Sequence, residues 1–128
     1  MVKVPVYISF DYDHDSDLKI LLVDQAANED SPFDIADWSI KDPSADWKVN
    51  ARRRIRRASQ VIVMCGLYTE TATGINAEIE IAREEGKPYF LLAGRASGGS
   101  KKPTAALVTD LLYDWTWPNL QLLIAGGR

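Results

Sequence analysis

The sequence has little of what builds disulfides and zinc sites: one cysteine and one histidine in 128 residues. A lone Cys65 excludes a disulfide within the chain and is typical of proteins in a reducing compartment, so we expect a cytoplasmic location. With His14 as the only histidine, the usual cysteine and histidine ligands of zinc cannot be assembled, and no metal is expected.

Long apolar runs and an excess of one charge are also missing. No apolar segment approaches the roughly 20 residues of a membrane span, and the N-terminal "MVKVPVYISF" has no signal-peptide pattern. The net charge of −3 argues against general affinity for nucleic acid or for an acidic membrane surface. A chain of 128 residues with 46% hydrophobic residues is long enough for a core, so we expect a single domain over residues 1–128.

Apolar runs of strand length alternate with segments of helical periodicity. Strands are predicted at 5–10, 32–40, 60–66, 87–94 and, briefly, at "YDWT" (113–116). Helices are predicted at 15–29, 44–59, 73–86, 104–115 and within 117–128. This alternation is typical of a parallel sheet covered by helices on both faces, so we expect a flavodoxin-like α/β three-layer sandwich with strand order 2-1-3-4-5. Such sheets bind ligands outside the carboxyl ends of their strands, where the strand order reverses.

One carboxylate lies on the apolar arc of a predicted helix. In "TGINAEIEIAREEG" (73–86), a step of about 100° per residue places Glu78 on the side of Ile75 and Ile79. Glu80 points to water instead. A carboxylate on the inner arc is costly unless it is hydrogen-bonded, paired or at the rim of a cleft. Two interpretations stay open: a rim glutamate that snorkels to solvent or pairs with an arginine, and a functional acid that faces the cleft.

The segment "FDYDHD" (10–15) places acids and aromatic rings directly after the first predicted strand. It is either a solvated loop with a helix cap at Asp15 or part of a ligand pocket. In a pocket, Phe10 or Tyr12 would stack on a ligand ring and Asp11 would shape the loop. Acid clusters also hold Mg²⁺ in response-regulator receivers, but the third strand here ends in "MCG" rather than in a phosphorylatable aspartate.

Two further segments carry candidate interaction residues. In "DWSIKDPSADW" (37–47), Trp38 is either a stacking platform for a ligand or a packing residue. In "RRRIRR" (52–57), the helical wheel turns Ile55 inward and spreads five arginines over the other faces. This pattern favours a solvated helix, and the alternatives are a protein interface and phosphate contacts.

Three segments resemble one family in their order and spacing: "VYISFDYDHDSD", "FDIADWSI" and "IRRASQVIVMCGLYTETATGINAEIEIAREEGKPYFLL". They are similar to the TIR-like family that includes the Thoeris anti-phage TIR proteins, over roughly residues 4–115. The resemblance implies the flavodoxin-like fold and cleavage of NAD⁺ at the nicotinamide–ribose bond. In Thoeris relatives it also implies a cyclic ADP-ribose isomer that signals to an effector protein. It places the catalytic glutamate at Glu78.

The resemblance also implies a substrate pocket and an interaction loop. NAD⁺ or a related nucleotide would be the substrate, with no separate cofactor. The predicted pocket residues are Phe10, Asp11, Tyr12, Trp38 and Asn76. Ser39 and Asp42 belong to the loop that TIR proteins use to gate the cleft and to contact a neighbouring chain, so self-association is expected. Relatives often carry an aromatic residue shortly before the glutamate. This chain has "GINA" there instead, and Asn76 is the predicted substitute.

A second class of function stays open, namely a non-catalytic TIR-like interaction or nucleotide-binding module. Ser39, Asp42 and the arginine-rich helix would then lie at a protein contact. A flavodoxin-like FMN protein is disfavoured, because the loop after the first strand lacks the Ser/Thr/Gly run that would hold a phosphate.

Overall fold

Five parallel strands form one sheet in the computed structural model, which describes residues 2–96 and 98–127. The strands are β1 (Val4–Ser9), β2 (Phe33–Trp38), β3 (Gln60–Cys65), β4 (Tyr89–Ala93) and β5 (Leu112–Asp114). Their order across the sheet is β2-β1-β3-β4-β5, which confirms the predicted flavodoxin-like α/β fold. The order reverses between β1 and β3, so the carboxyl ends of these strands border the expected cleft.

Helices cover both faces of the sheet. Within the described residues they are α1 (Ser16–Ala26), α2 (Trp47–Arg56), α3 (Thr73–Glu84) and α4 (Trp117–Ile124), with a 3₁₀ turn at Thr69–Thr71. In that same part of the chain, no helix has the length and apolar character needed to cross a bilayer. Nor does the described chain bring three or more His, Cys, Asp or Glu residues together in a way that could hold a metal ion.

The alternation of side chains along the strands divides the core into two layers. In β1, Val6 and Ile8 join the buried apolar residues of α1 and α4 on one face of the sheet. Tyr7, which lies between them, joins those of α2 and α3, including Ile55 and Ile79, on the other face. The side of the sheet that carries α2 and α3 is therefore the side that Tyr7 faces.

The pairing of β1 with β2 contains a one-residue irregularity. The register shifts between Val6 and Tyr7, so that β2 carries one extra residue opposite β1. An extra residue reverses the face of each side chain that follows it. Just beyond the end of β2, the side chain of Ser39 is consequently buried, at 4% exposure, and that of Trp38 is 38% exposed.

The residue before α1 holds its neighbours together without capping the helix. Asp15 occupies the predicted N-cap position, but its side chain accepts no capping hydrogen bond. Its carboxylate instead pairs with Arg95, with 3.0 Å between Oδ1 and Nη2. The same carboxylate packs so closely on Gly66 that a Cβ there would lie 2.3 Å from Asp15 Oδ2. The loop after β4 is thereby tied to the start of α1.

The prediction of a helix at 104–115 is wrong. Turns lead from this segment into β5, and the final helix follows as predicted. The N–H of Asp110, which would donate to the carbonyl of Ala106 in an α-helix, donates instead to the carbonyl of Leu107 at 3.0 Å. The apolar residues that suggested a helix do not all reach the core, and Val108 is 97% exposed. Turns within the segment thus take the place of the helical ladder.

The end of α3 at a glycine is confirmed. Gly86 has a φ of +67°. The N–H of Lys87 donates to the carbonyl of Ala82 at 2.9 Å, and that of Gly86 donates to the carbonyl of Arg83 at 3.1 Å. These two bonds form the Schellman motif that closes a helix. A Cβ at Gly86 would have no atom within 4 Å, so the position demands glycine only for its backbone conformation.

Replacing this glycine should therefore have a purely conformational effect. Gly86→Ala should lower the free energy of unfolding by about 1 kcal/mol, because alanine is strained in the left-handed region. Gly86→Asn should lose less, since asparagine tolerates this region better. Urea denaturation measures the free energy of unfolding of both variants. Equal losses for Gly86→Ala and Gly86→Asn would contradict a purely conformational role for Gly86.

Candidate functional site

The carboxylate of Glu78 lies in the protein interior, with the residue 3% exposed. Its Oε2 accepts a hydrogen bond from the Tyr7 hydroxyl. Its Oε1 accepts bonds from Ser9 Oγ at 2.8 Å and from Ser39 Oγ at 2.5 Å. The prediction that Glu78 faces inward is confirmed. Because hydroxyl groups satisfy the carboxylate, it is not a rim residue that snorkels to solvent.

The three hydroxyl groups converge because of strand geometry. Tyr7 and Ser9 are two residues apart in β1, so they project from the same face of the sheet, towards α3. Ser39 follows β2, and the extra residue in that strand turns it to the same face. Ser39 Oγ accepts a bond from the N–H of Phe10 at 3.1 Å, which leaves its own proton free to donate to Glu78.

Burial dominates the electrostatics of this group. It raises the pKa of Glu78, while the hydrogen bonds from Ser39, Tyr7 and Ser9 and the charge of Arg54 act in the opposite direction. The pKa of Tyr7 is also raised, first by burial and then by the adjacent Glu78. Tyr7 therefore stays protonated and remains a donor to the carboxylate.

One face of the Glu78 group opens to a small cavity, which we call the Glu78 pocket. Its volume is about 230 Å³. The lining residues are Tyr12, Ile40, Asp42, Trp47, Arg54, Thr73, Gly74 and Glu78. They come from the loops after β1 and β2, from α2 and from the start of α3. The pocket thus lies at the carboxyl edge of the sheet, where the strand order reverses.

A second cavity of about 300 Å³, the Tyr68 pocket, adjoins the first and is lined by residues 10–14, Tyr68 and residues 71–75. The two share Tyr12, Thr73 and Gly74 as lining residues. Tyr12 packs against Gly74, since a Cβ on that glycine would lie 3.5 Å from Tyr12 Cε2. The ring of Tyr12 consequently forms part of the wall between the pockets.

Contacts among the lining residues hold the side chains around the Tyr68 pocket in place. Asp11 is 8% exposed, and its Oδ2 lies 2.8 Å from His14 Nδ1. The His14 ring packs on the Tyr68 ring, with 4.2 Å between centroids. Phe10 lines the same pocket and is 3% exposed. This cavity combines aromatic surface with a buried carboxylate.

The structure brings most of the predicted site residues to these two pockets. Tyr12 and Asp42 line the Glu78 pocket, and Phe10 and Asp11 line the Tyr68 pocket. Asp42 accepts bonds from Asn50 Nδ2 at 2.8 Å and from the N–H of Ser44 at 2.9 Å, and both hold its pKa below the ordinary value. Ser39, predicted for the interaction loop, instead contacts the carboxylate of Glu78.

Trp38 and Asn76 lie elsewhere. Neither is among the described residues that line the two pockets. The ring of Trp38 lies under Lys19 Nζ, which is 4.6 Å from its centroid. Asn76 Nδ2 donates to the carbonyl of Ala72 at 3.0 Å, and its Oδ1 accepts from Ala105. Asn76 therefore connects α3 to the segment before β5.

Sequence reasoning missed Tyr7, Ser9, Arg54 and Trp47 as individual site residues. A signal was present for the first two: they are polar groups at alternate positions in an otherwise apolar strand, so they share one face. Arg54 and Trp47 carried no comparable signal, because their positions depend on how α2 packs against the sheet.

Comparison with known proteins agrees with this geometry. The family model described as Thoeris protein ThsB, TIR-like domain, matches residues 7–95. The matched segment contains the second half of β1, all of β2, β3 and β4, and every predicted site residue. The chain belongs to this TIR-like family of Thoeris proteins, which supports a role in TIR-type anti-phage defence. No curated protein matches the chain.

The raised pKa of Glu78 has a consequence for stability. The folded protein keeps the proton at pH values where the unfolded chain, near the ordinary value of 4.5, has lost it. Unfolding then releases a proton, so raising the pH favours unfolding. The free energy of unfolding of the wild type, relative to that of Glu78→Gln, should fall as pH rises above 4.5.

Urea denaturation at a series of pH values checks this expectation. Glu80→Gln, which changes an exposed residue on the same helix, is the matched control. Its free energy of unfolding should depend on pH as that of the wild type does. The raised pKa would be contradicted if the free energy of unfolding of the wild type, relative to that of Glu78→Gln, stayed constant or grew as the pH rose above 4.5.

Proposed function

We propose that this protein cleaves the nicotinamide–ribose bond of NAD⁺, with Glu78 as the catalytic carboxylate. A cyclic ADP-ribose isomer is the proposed signalling product, read by a downstream effector protein. The observation that carries the proposal is the buried carboxylate of Glu78 at the wall of a pocket on the carboxyl edge of a TIR-like sheet.

The reaction needs one well-placed anion. When the bond from C1′ to the nicotinamide nitrogen breaks, its electron pair neutralises the positive ring, and positive charge develops on the ribose. Nicotinamide leaves as a neutral molecule, so no strong general acid is required. A carboxylate near the ribose stabilises the developing charge, as in glycosidases. Water then gives ADP-ribose and a proton, whereas attack by an atom of the same molecule gives a cyclic isomer and a proton.

The hydrogen bonds of Glu78 leave capacity for a substrate. An ionised carboxylate has about four acceptor positions, and three are taken, two on Oε1 and one on Oε2. The remaining position on Oε2 suits a ribose hydroxyl. Tyr7, Ser9 and Ser39 would hold the carboxylate in place without reorganisation during the reaction, which is how preorganised sites act.

The size of the cavities also supports a dinucleotide. The Glu78 pocket, at about 230 Å³, suits one half of such a molecule, and the Tyr68 pocket adds about 300 Å³ beyond the shared Tyr12 wall. Together they fall in the range of about 300–1,000 Å³ that is usual for ligand sites. Nicotinamide or adenine would stack on Tyr12 or Phe10.

The second candidate is a TIR-like interaction module without catalysis. It is favoured by apolar surface at the end of β2 and just beyond it, where Trp38 is 38% and Ile40 48% exposed. The hydroxyl contacts of Glu78 would then serve only to fix α3 and the loop after β2. A neighbouring copy of the chain or an effector would cover the exposed residues.

Turnover of NAD⁺ separates the two candidates. Wild type, Glu78→Gln and Glu80→Gln are compared at high protein concentration, with products resolved by mass spectrometry. Glu78→Gln should lose at least about 100-fold in kcat, the scale of losing a preorganised electrostatic contact. Glu80→Gln should stay close to the wild type.

Two outcomes would count against the enzyme. One is the absence of NAD⁺ consumption by the wild type at concentrations where it assembles. The other is a folded Glu78→Gln variant that retains wild-type turnover. Either result leaves the interaction module as the better account of the same loops.

A further inference from the structure

The arginines of α2 have different surroundings. Arg52 and Arg56 both pair with Glu85. Arg52 Nη1 lies 2.8 Å from Glu85 Oε2, and Arg56 Nε lies 2.5 Å from Glu85 Oε1. Arg53 is exposed. Arg54 instead lines the Glu78 pocket. One side of this helix therefore supplies a guanidinium group to the cavity, while other arginines hold α2 to α3 or face solvent.

The guanidinium group of Arg54 has an unused donor. Its Nε is buried and has no hydrogen-bond partner among the residues that the structure describes. A buried donor without an acceptor costs about 1–3 kcal/mol, and such exceptions call for an explanation. Asp42, the other acid of the pocket lining besides Glu78, is already bonded to Asn50 and Ser44.

The charges of the pocket are of both signs. Among its described lining residues, Arg54 is the cation, and Glu78 and Asp42 are the acids. A pyridine dinucleotide has the complementary pattern, with a positive ring at one end of a ribose and an anionic diphosphate at the other. Guanidinium is well suited to phosphate, because its fork of N–H groups can bond two oxygens at once.

We propose that Arg54 binds the diphosphate of the nucleotide substrate while Glu78 faces the ribose next to the scissile bond. This assignment rests on the proposed cleavage of NAD⁺ and narrows the substrate class to nicotinamide nucleotides that carry a diphosphate. It makes Arg54 a specificity-determining residue, one that distinguishes the dinucleotide from phosphate-free nicotinamide riboside.

The test compares two substrates that share the scissile bond. For NAD⁺, Arg54→Met should raise KM by about 10- to 100-fold, the effect of losing a charged hydrogen bond. For nicotinamide riboside, which has no phosphate, the same variant should leave KM unchanged. Arg54→Lys, which keeps the charge but loses the fork, should fall between wild type and Arg54→Met for NAD⁺. Arg53→Met is the matched control and should leave both KM values unchanged.

Binding of ADP-ribose, followed by titration calorimetry, tests the contact without turnover. Wild type should bind it and Arg54→Met should bind it at least about 10-fold more weakly. If NAD⁺ is not cleaved but this difference holds, the proposed reaction fails and the Arg54 contact stands. If NAD⁺ is cleaved but its KM is insensitive to Arg54, the contact fails and the reaction stands.

Three further results would overturn the Arg54 assignment. The first is an equal loss for NAD⁺ and for nicotinamide riboside, which would mean that Arg54 acts on Glu78 or on the fold. The second is ADP-ribose binding that is the same in wild type, Arg54→Met and Arg54→Lys. The third is a wild type that does not bind ADP-ribose at all. Urea denaturation of each variant confirms that the comparison is made between folded proteins.

Discussion

The site depends on keeping one acid in the interior of the protein. An uncompensated buried carboxylate costs several kcal/mol, and here the compensation comes from three hydroxyl groups on two neighbouring parts of the sheet. Tyr7 and Ser9 fix the position of α3 over β1, and Ser39 fixes the loop after β2. The loops after β1 and β2 and the start of α3, which adjoin these contacts, form most of the wall of the Glu78 pocket, so satisfying one charge also sets much of the shape of the cavity.

Much of the fold follows from local pattern. The apolar runs of β3 and β4 and the helical periodicity of α1 to α3 are set by residues that are close in sequence, so the strand order and the inward direction of Glu78 could be predicted. The segment before β5 could not. Its periodicity is helical, but its backbone forms turns, and Asn76 of α3 binds its first residues through the N–H of Ala105, a contact that a local pattern does not show.

The candidate site was harder to predict, for reasons of register. Simple alternation along β2 favours Trp38 for the pocket and leaves Ser39 outside, yet one extra residue in the strand exchanges their faces. Nothing in "FDIADWSI" marks that irregularity. Arg54 is similar: the five arginines within residues 52–57 look alike in sequence, and only the packing of α2 distinguishes the one that faces a cavity.

The composition of the Glu78 group is itself an argument for function. A leucine or methionine at 78 would fill the same space and would need no hydroxyl partners, and replacing buried charges by apolar residues is often neutral or stabilising. The chain instead buries an acid together with the hydroxyls of Tyr7, Ser9 and Ser39, beside a cavity rather than in the centre of the core. A buried polar group with a perturbed pKa in the wall of a pocket is typical of active sites. Arg54 adds a cation to the same pocket, and its buried Nε has no hydrogen-bond partner among the residues that the structure describes.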